Sequence, residues 1–246
     1  MNRNSFLRLG GIRDVETFRN YLRELHISIP CDAKVLAGDT SPLGQPLQRG
    51  GIALGNRFAI QPMEGWDGTT DGRPTELTFR RWRRFGASGA KLIWGGEAVA
   101  VCHEGRANPN QLAIGPHAIV DLSRLREALV QEHERSVGSV AGLVIGLQLT
   151  HSGRYSRPNS HNHPEPRVLY HHPILDKRLG ITADYPLLAD GEIRQIIEDF
   201  QRAARVAQSS SGAVRQLRSA MKGGLIRINW LSAHTLSPIC LVFVKR

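Results

Sequence analysis

Three apolar segments, each running into polar or glycine-bearing residues, predict an α/β fold built as part of a parallel (β/α) barrel. The clearest is Val144-Ile145-Gly146-Leu147-Gln148-Leu149-Thr150-His151-Ser152-Gly153-Arg154, which reads as a buried strand ending in a polar cluster. Arg57-Phe58-Ala59-Ile60-Gln61-Pro62-Met63-Glu64-Gly65 and Lys91-Leu92-Ile93-Trp94-Gly95-Gly96-Glu97-Ala98-Val99-Ala100-Val101 follow the same plan. Helical periodicity separates them, and strands alternating with helices at this spacing argue for parallel strands joined by right-handed crossovers. The competing α/β fold, a Rossmann unit, lacks its sign: no Gly-x-Gly-x-x-Gly follows a strand, and Gly95-Gly96 lies inside a strand end.

The elements follow in order. Val15, Phe18, Leu22 and Leu25 recur at helical spacing behind Asp14, a good N-cap, and predict a short amphipathic helix packed as an appendage. Residues 30–48 are rich in Pro, Gly and Asp and read as a loop. Gly51-Ile52-Ala53-Leu54 and Arg57-Phe58-Ala59-Ile60 flank Gly55-Asn56, a hairpin turn signal. After a polar loop, residues 76–86 predict a helix with Leu77, Trp82 and Phe85 on its apolar face and Arg80, Arg81, Arg83 and Arg84 on a solvated basic face. The second strand leads into residues 103–116, a loop long enough to be functional. Leu122, Leu125, Ala128 and Leu129 mark a second helix, and Ile193, Ile196, Ile197, Phe200, Ala203 and Ala204 a third. The order is therefore β-hairpin, α, β, α, β, α.

A chain of 246 residues with 41% hydrophobic residues buries one sizeable core. Nothing in it approaches the roughly 20 consecutive apolar residues a bilayer span needs, and no charged start precedes an apolar run, so a cytoplasmic protein with no membrane partner is expected. Cys31, Cys102 and Cys240 lack the close spacing of zinc sites or disulfide frameworks, which implies a reducing compartment. Cys102 follows a strand end; the alternatives there are a thiol at the mouth of a site and an ordinary buried cysteine. The formal charge of +10 is concentrated in the tail, because eight basic and no acidic residues follow position 200 and the rest carries 24 basic against 22 acidic. Nucleic acid is accordingly not expected as a partner.

In a parallel barrel the loops after the strands share one face, so Pro62-Met63-Glu64, Glu97-Ala98 and Gln148 converge. Their chemistry suits a flat, amide-rich heterocycle: exposed backbone at Pro62-Met63, a small Ala98 that allows close approach, and a Gln148 carboxamide that both donates and accepts. His161-x-His163 with Glu165 nearby has spacing that permits a metal, but Pro158, Pro164, Pro166 and Pro173 mark an irregular loop, and no metal site is expected.

Over residues 45–208 the chain resembles the Old Yellow Enzyme group of FMN-dependent NAD(P)H oxidoreductases, especially its NADH:flavin oxidoreductase and dienoyl-CoA reductase-like members. The motifs are Asn56-Arg57 through Pro62-Met63, then Gly96-Glu97-Ala98-Val99-Ala100-Val101 with Glu104-Gly105-Arg106, then Gln148-Leu149-Thr150-His151-Ser152-Gly153-Arg154. The resemblance implies a (β/α)8 TIM barrel holding FMN, with the flavin taking hydride from NAD(P)H and passing it to an electron-poor alkene or enone. It places Gln61, Pro62, Met63 and Glu64 along the flavin ring, Ala98 close against it and Gln148 at its pyrimidine edge. Glu64 departs from the small polar or thiol residues of some relatives, and a carboxylate there disfavours a reduced anionic flavin. His151 and Arg154 match the family pattern and are read as structural, fixing the loop after the third strand.

The likeness ends near Ser209. Relatives continue with a strand bearing a His pair, or His and Asn, and then a Gly-Tyr-Leu; here Ala220 and Gly223 stand at the pair and Leu225 at the tyrosine. The expectation is an incomplete barrel of about three β/α units with an atypical tail. It is divided as residues 1–44, an extension with a short helix; 45–208, the N-terminal portion of the FMN-binding barrel; and 209–246, a basic tail of the kind an altered reading frame or truncated gene would produce. The expected function is an FMN-dependent NAD(P)H oxidoreductase of Old Yellow Enzyme type, truncated; the alternative is a catalytically inactive fragment of such an enzyme. Catalytic residues, oligomeric state and the choice of NADH or NADPH stay unassigned. Ile239-Cys240-Leu241-Val242-Phe243-Val244 is β-prone, a strand or an aggregation hazard.

Overall fold

The computed structural model describes residues 8–49, 52–94, 96–210 and 239–244, the last as backbone. Ala220, Gly223 and Leu225 lie outside the described residues. The chain divides into two compact units, Met1–Gln45 and Pro46–Arg246. In the first, helix α1 (Val15–Glu24) starts where the sequence places it, because the Asp14 carboxylate accepts the Thr17 amide at 2.7 Å. Arg19 then donates to the Cys31 carbonyl, which folds the following segment back onto the helix.

The second unit opens on a hairpin of β1 (Leu47–Arg49) and β2 (Ile52–Leu54), one element earlier than the sequence predicts. Asn56 is not its turn residue. Its Oδ1 accepts the amides of Phe58 and Lys91, each at 3.1 Å, and its Nδ2 donates to the Gly89 carbonyl at 2.9 Å. Asn56 thereby ties the start of β3 (Ala59–Ile60) to the start of β4 (Leu92–Ile93), and the two strands pair in parallel.

The second predicted strand is two: β4 and β5 (Ala98–Ala100) both run parallel to β6 (Val144–Thr150). Leu92 pairs with Val144 and Ala98 with Gln148, so the chain takes two more residues between these pairings than β6 does. Helix α2 (Glu76–Ala87) follows β3, α3 (Ala118–Val137) follows β5, and α4 (Pro173–Leu179) and α5 (Asp190–Ser209) follow β6. The order β3, β4, β6 is the parallel β/α succession that the sequence predicts. Among the described residues the sheet is open and does not close into a barrel. Its other edge is covered by β7 (Ile239–Val244), antiparallel to β6 from Ile145 to Thr150. An uncovered β6 edge would leave a row of unpaired amides and carbonyls, and the apolar run 239–244 supplies partners for them.

The core lies between sheet and helices. Ile93, Val99, Val101, Leu147 and Leu149 point from the strands onto Trp82 of α2, Leu122, Leu125 and Leu129 of α3, and Phe200 and Ala203 of α5. Strand alternation turns Leu92, Ala98, Ala100, Gly146, Gln148 and Thr150 to the opposite face. Helices α2 and α3 touch closely at Gly86, where an added Cβ would lie 2.3 Å from the Leu129 carbonyl oxygen. The buried face of α2 is Thr78, Trp82 and Gly86, not Leu77, which is exposed.

Candidate functional site

Two contacts gather the three strand ends. Ala98 and Gln148 are direct partners in the β5–β6 pairing, so their side chains lie side by side on the face away from the helices. The Gly65 amide donates to Glu97 Oε1 at 3.0 Å, which ties the segment after β3 to the residue preceding Ala98. Ala98 is 3% exposed, Gln148, Pro62 and Glu64 are half-buried, and Gln61 and Met63 are exposed. Gln61 continues the parity of Ala59 and faces away from the helices, as Ala98 and Gln148 do. Glu64 Oε2 accepts the Trp66 indole N–H at 2.9 Å, so its negative charge is partly answered within the segment.

Sequence reasoning left Arg81 on a solvated helix face, and the structure turns it inward. Its Nε and Nη2 grip Asp67 at 3.0 Å each, and Nη2 also reaches Glu97, a wholly buried carboxyl group. Thr78 adds a 2.8 Å hydroxyl bond to Asp67. Burial pushes Glu97 up to about 7 against the opposing pull of Arg81 and the Gly65 amide. The signal was available: a carboxylate inside an apolar strand end requires a partner, and α2 offers an arginine.

The remaining motif residues are scaffold. Arg106 is 1% exposed and donates to the carbonyls of Thr69, Thr70, Pro109 and Gln111, which clasps two loops together. Gln111 Nε2 bonds the Ala98 carbonyl at 2.9 Å and Thr150 Oγ1 at 3.1 Å, locking the ends of β5 and β6. Gly105 leaves room for the His151 ring, which a Cβ would meet at 2.7 Å, and Gly96 does the same for Trp82 at 2.8 Å. Arg154 pairs with buried Asp176 and donates to the Tyr170 carbonyl at 2.5 Å, so it fixes the loop after β6 as expected.

The other candidates resolve plainly. Cys102 is half-buried against the core, and desolvation pushes its thiol up to about 12, which argues against a reactive thiolate. His161 bonds Asn108, His171 pairs with Asp176, and His172 accepts the Leu175 amide at the start of α4. No group of three potential metal ligands forms among the described residues. No helix among them is long and apolar enough to cross a membrane. A cavity of about 650 Å³ opens at the same end of the strands, lined by His103, Glu104, Asn159, His163, Arg167 and Tyr185 among others.

No family model and no curated protein matches the chain. Solved structures do. A complex of 2-naphthoyl-CoA reductase with 2-naphthoyl-CoA matches with TM-score 0.51 and 16% identity, over 69% of this chain and 26% of that one. Old Yellow Enzyme from Pichia sp. AKU4542 matches with TM-score 0.49 and 21% identity, over 69% and 43%. Morphinone reductase matches with TM-score 0.48 and 23% identity, over 68% and 45%. The chain thus spans between a quarter and a half of the length of these proteins. At 16% identity the likeness to the 2-naphthoyl-CoA reductase is one of fold, α/β of the TIM-barrel kind.

Proposed function

We propose that this chain carries the flavin-holding strand ends of an FMN-dependent NAD(P)H oxidoreductase of Old Yellow Enzyme type, acting on a small electron-poor alkene or enone. The observation that carries the reading is the convergence at Ala98 and Gln148, paired in register, of the segment that Glu97 holds through the Gly65 amide. The donor set fits the group: a carboxamide that can donate and accept, a side chain no larger than a methyl beside it, and exposed Gln61 and Met63 on either side of a half-buried Pro62. FMN supplies the redox chemistry when bound, accepting hydride from NAD(P)H and delivering it to the alkene.

The protein's part is binding and electrostatics. Gln148 would hold the pyrimidine edge, Ala98 would allow a flat ring to approach the sheet, and Gln61, Pro62 and Met63 would lie along the ring. Glu64 would stand beside it as a carboxylate moderated by the Trp66 indole N–H. FMN titrated into the protein, followed by quenching of flavin fluorescence, tests this. Gln148→Ala is expected to weaken binding about tenfold, the equivalent of one hydrogen bond, and Ala98→Leu to abolish it. Equal affinity in all three proteins would overturn the reading. A second reading, flavin binding without turnover, is favoured by Ala220, Gly223 and Leu225, which stand where relatives carry the His pair and the tyrosine.

A further inference from the structure

We propose that Glu97 is the positioning residue of this site: its buried carboxyl group fixes residues 61–65 against the strand pair bearing Ala98 and Gln148, and holds them more tightly when ionised. The inference rests on the flavin reading for its functional meaning and on three structural observations. Glu97 is wholly buried, it accepts the Gly65 amide at 3.0 Å, and its other oxygen accepts Arg81. Arg81 also grips Asp67, so Gly65 and Asp67 are pinned on either side of Trp66. Trp66 needs pinning, because its φ of +50° lies in the left-handed region that a bulky residue adopts only under constraint.

The charged groups facing Glu97 are Arg81 from α2 and Asp67 from the loop, and they act in opposite directions. Burial outweighs Arg81 and brings the carboxyl group to about 7, so it changes state near neutrality. Protonation replaces a charge-assisted bond to the Gly65 amide by a weaker neutral one and leaves Arg81 with Asp67 as its counter-charge. The Gly65 amide lowers the carboxyl pKa, so an opening that frees Gly65 while Glu97 stays buried is favoured by protonation, and the 61–65 segment, where the flavin ring is proposed to lie, should loosen locally as pH falls through about 7; global stability moves the other way, because a carboxyl group whose pKa is raised in the folded chain adds stability as pH falls.

The test begins without flavin. Protection of the Gly65 amide against hydrogen exchange, corrected for intrinsic rate, is measured between about pH 8.5 and about pH 5.5. Wild-type protection is expected to fall roughly tenfold over that range, while Glu97→Gln, which mimics the neutral acid, stays low and flat. The carboxyl ¹³C shift of Glu97 in the wild-type protein gives the same titration should the variant fail to fold. FMN affinity should follow the Gly65 protection. Constant Gly65 protection while the Glu97 carboxyl titrates, or a carboxyl that does not titrate near neutrality, overturns the proposal. Failure of FMN to bind at any pH overturns the flavin reading, and the Gly65 exchange still decides whether Glu97 positions the segment.

Discussion

Replacing Gly65 with alanine should dismantle the charge cluster behind the site without touching any residue that would face a ligand. An alanine Cβ would lie 1.8 Å from Arg81 Nη2, 2.4 Å from its Cζ and 2.8 Å from Asp67 Oδ1. Ordinary contact requires about 3.5 Å, so the guanidinium must retreat and give up its Nη2 bonds to Asp67 and Glu97. Glu97, brought to about 7 even with Arg81 beside it, would then take up a proton and stay buried as the neutral acid. Breaking a buried pair costs about 3–5 kcal/mol, but this proton uptake and the 22% exposure of the Arg81 side chain recover much of it, so about 1–3 kcal/mol is expected. Urea denaturation of Gly65→Ala, Arg81→Ala and the double variant separates this mechanism from others. Gly65 has no positive φ, so once Arg81 is absent the alanine should be neutral or stabilising by up to about 1 kcal/mol. Additive losses, within about 0.5 kcal/mol, would refute the reasoning.

Other perturbations follow from the same contacts. Gly86→Ala gains about 1 kcal/mol of helix propensity but forces a Cβ to 2.3 Å from the Leu129 carbonyl, so a net loss of about 1–3 kcal/mol is expected in thermal melts; a stabilised variant would mean that α2 and α3 do not pack this closely. Arg154→Ala removes the counter-ion of buried Asp176 and should cost about 3 kcal/mol, with limited proteolysis newly cutting within residues 157–172; an unchanged digestion pattern would deny Arg154 its anchoring role. His133 is wholly buried with Nδ1 on the Gly86 carbonyl and Nε2 on the Lys91 ammonium, and burial followed by Lys91 lowers its pKa. The unfolded chain then binds a proton before the folded one does, so stability is full above about pH 6.5 and falls as pH drops below it. His133→Gln should flatten that acid limb in a pH series of denaturation curves, and an unaltered limb would assign it elsewhere.

What was legible in the sequence was what local periodicity encodes. The apolar residues of α3 and α5 and the alternation of β6 repeat at the period of their element, so those elements lie where the residues put them. What was not legible depends on partners far along the chain. Gly55-Asn56 looks like a turn, yet Asn56 serves Gly89 and Lys91, more than 30 residues away. Four arginines in α2 look alike, and only the distant Asp67 and Glu97 single out Arg81. Leu77 looks like core and Thr78 does not, but a half-buried Asp67 makes the threonine hydroxyl the better inward residue. The candidate site was legible as three strand ends, and the charge cluster beneath them was not.

The absorbance of the purified chain between about 350 and 500 nm, after incubation with FMN and removal of the excess, tests the central claim most directly. One FMN retained per chain is the predicted result, and subsequent bleaching by NAD(P)H would separate an enzyme from a flavin-binding chain without turnover. A soluble, folded and colourless protein would contradict the account.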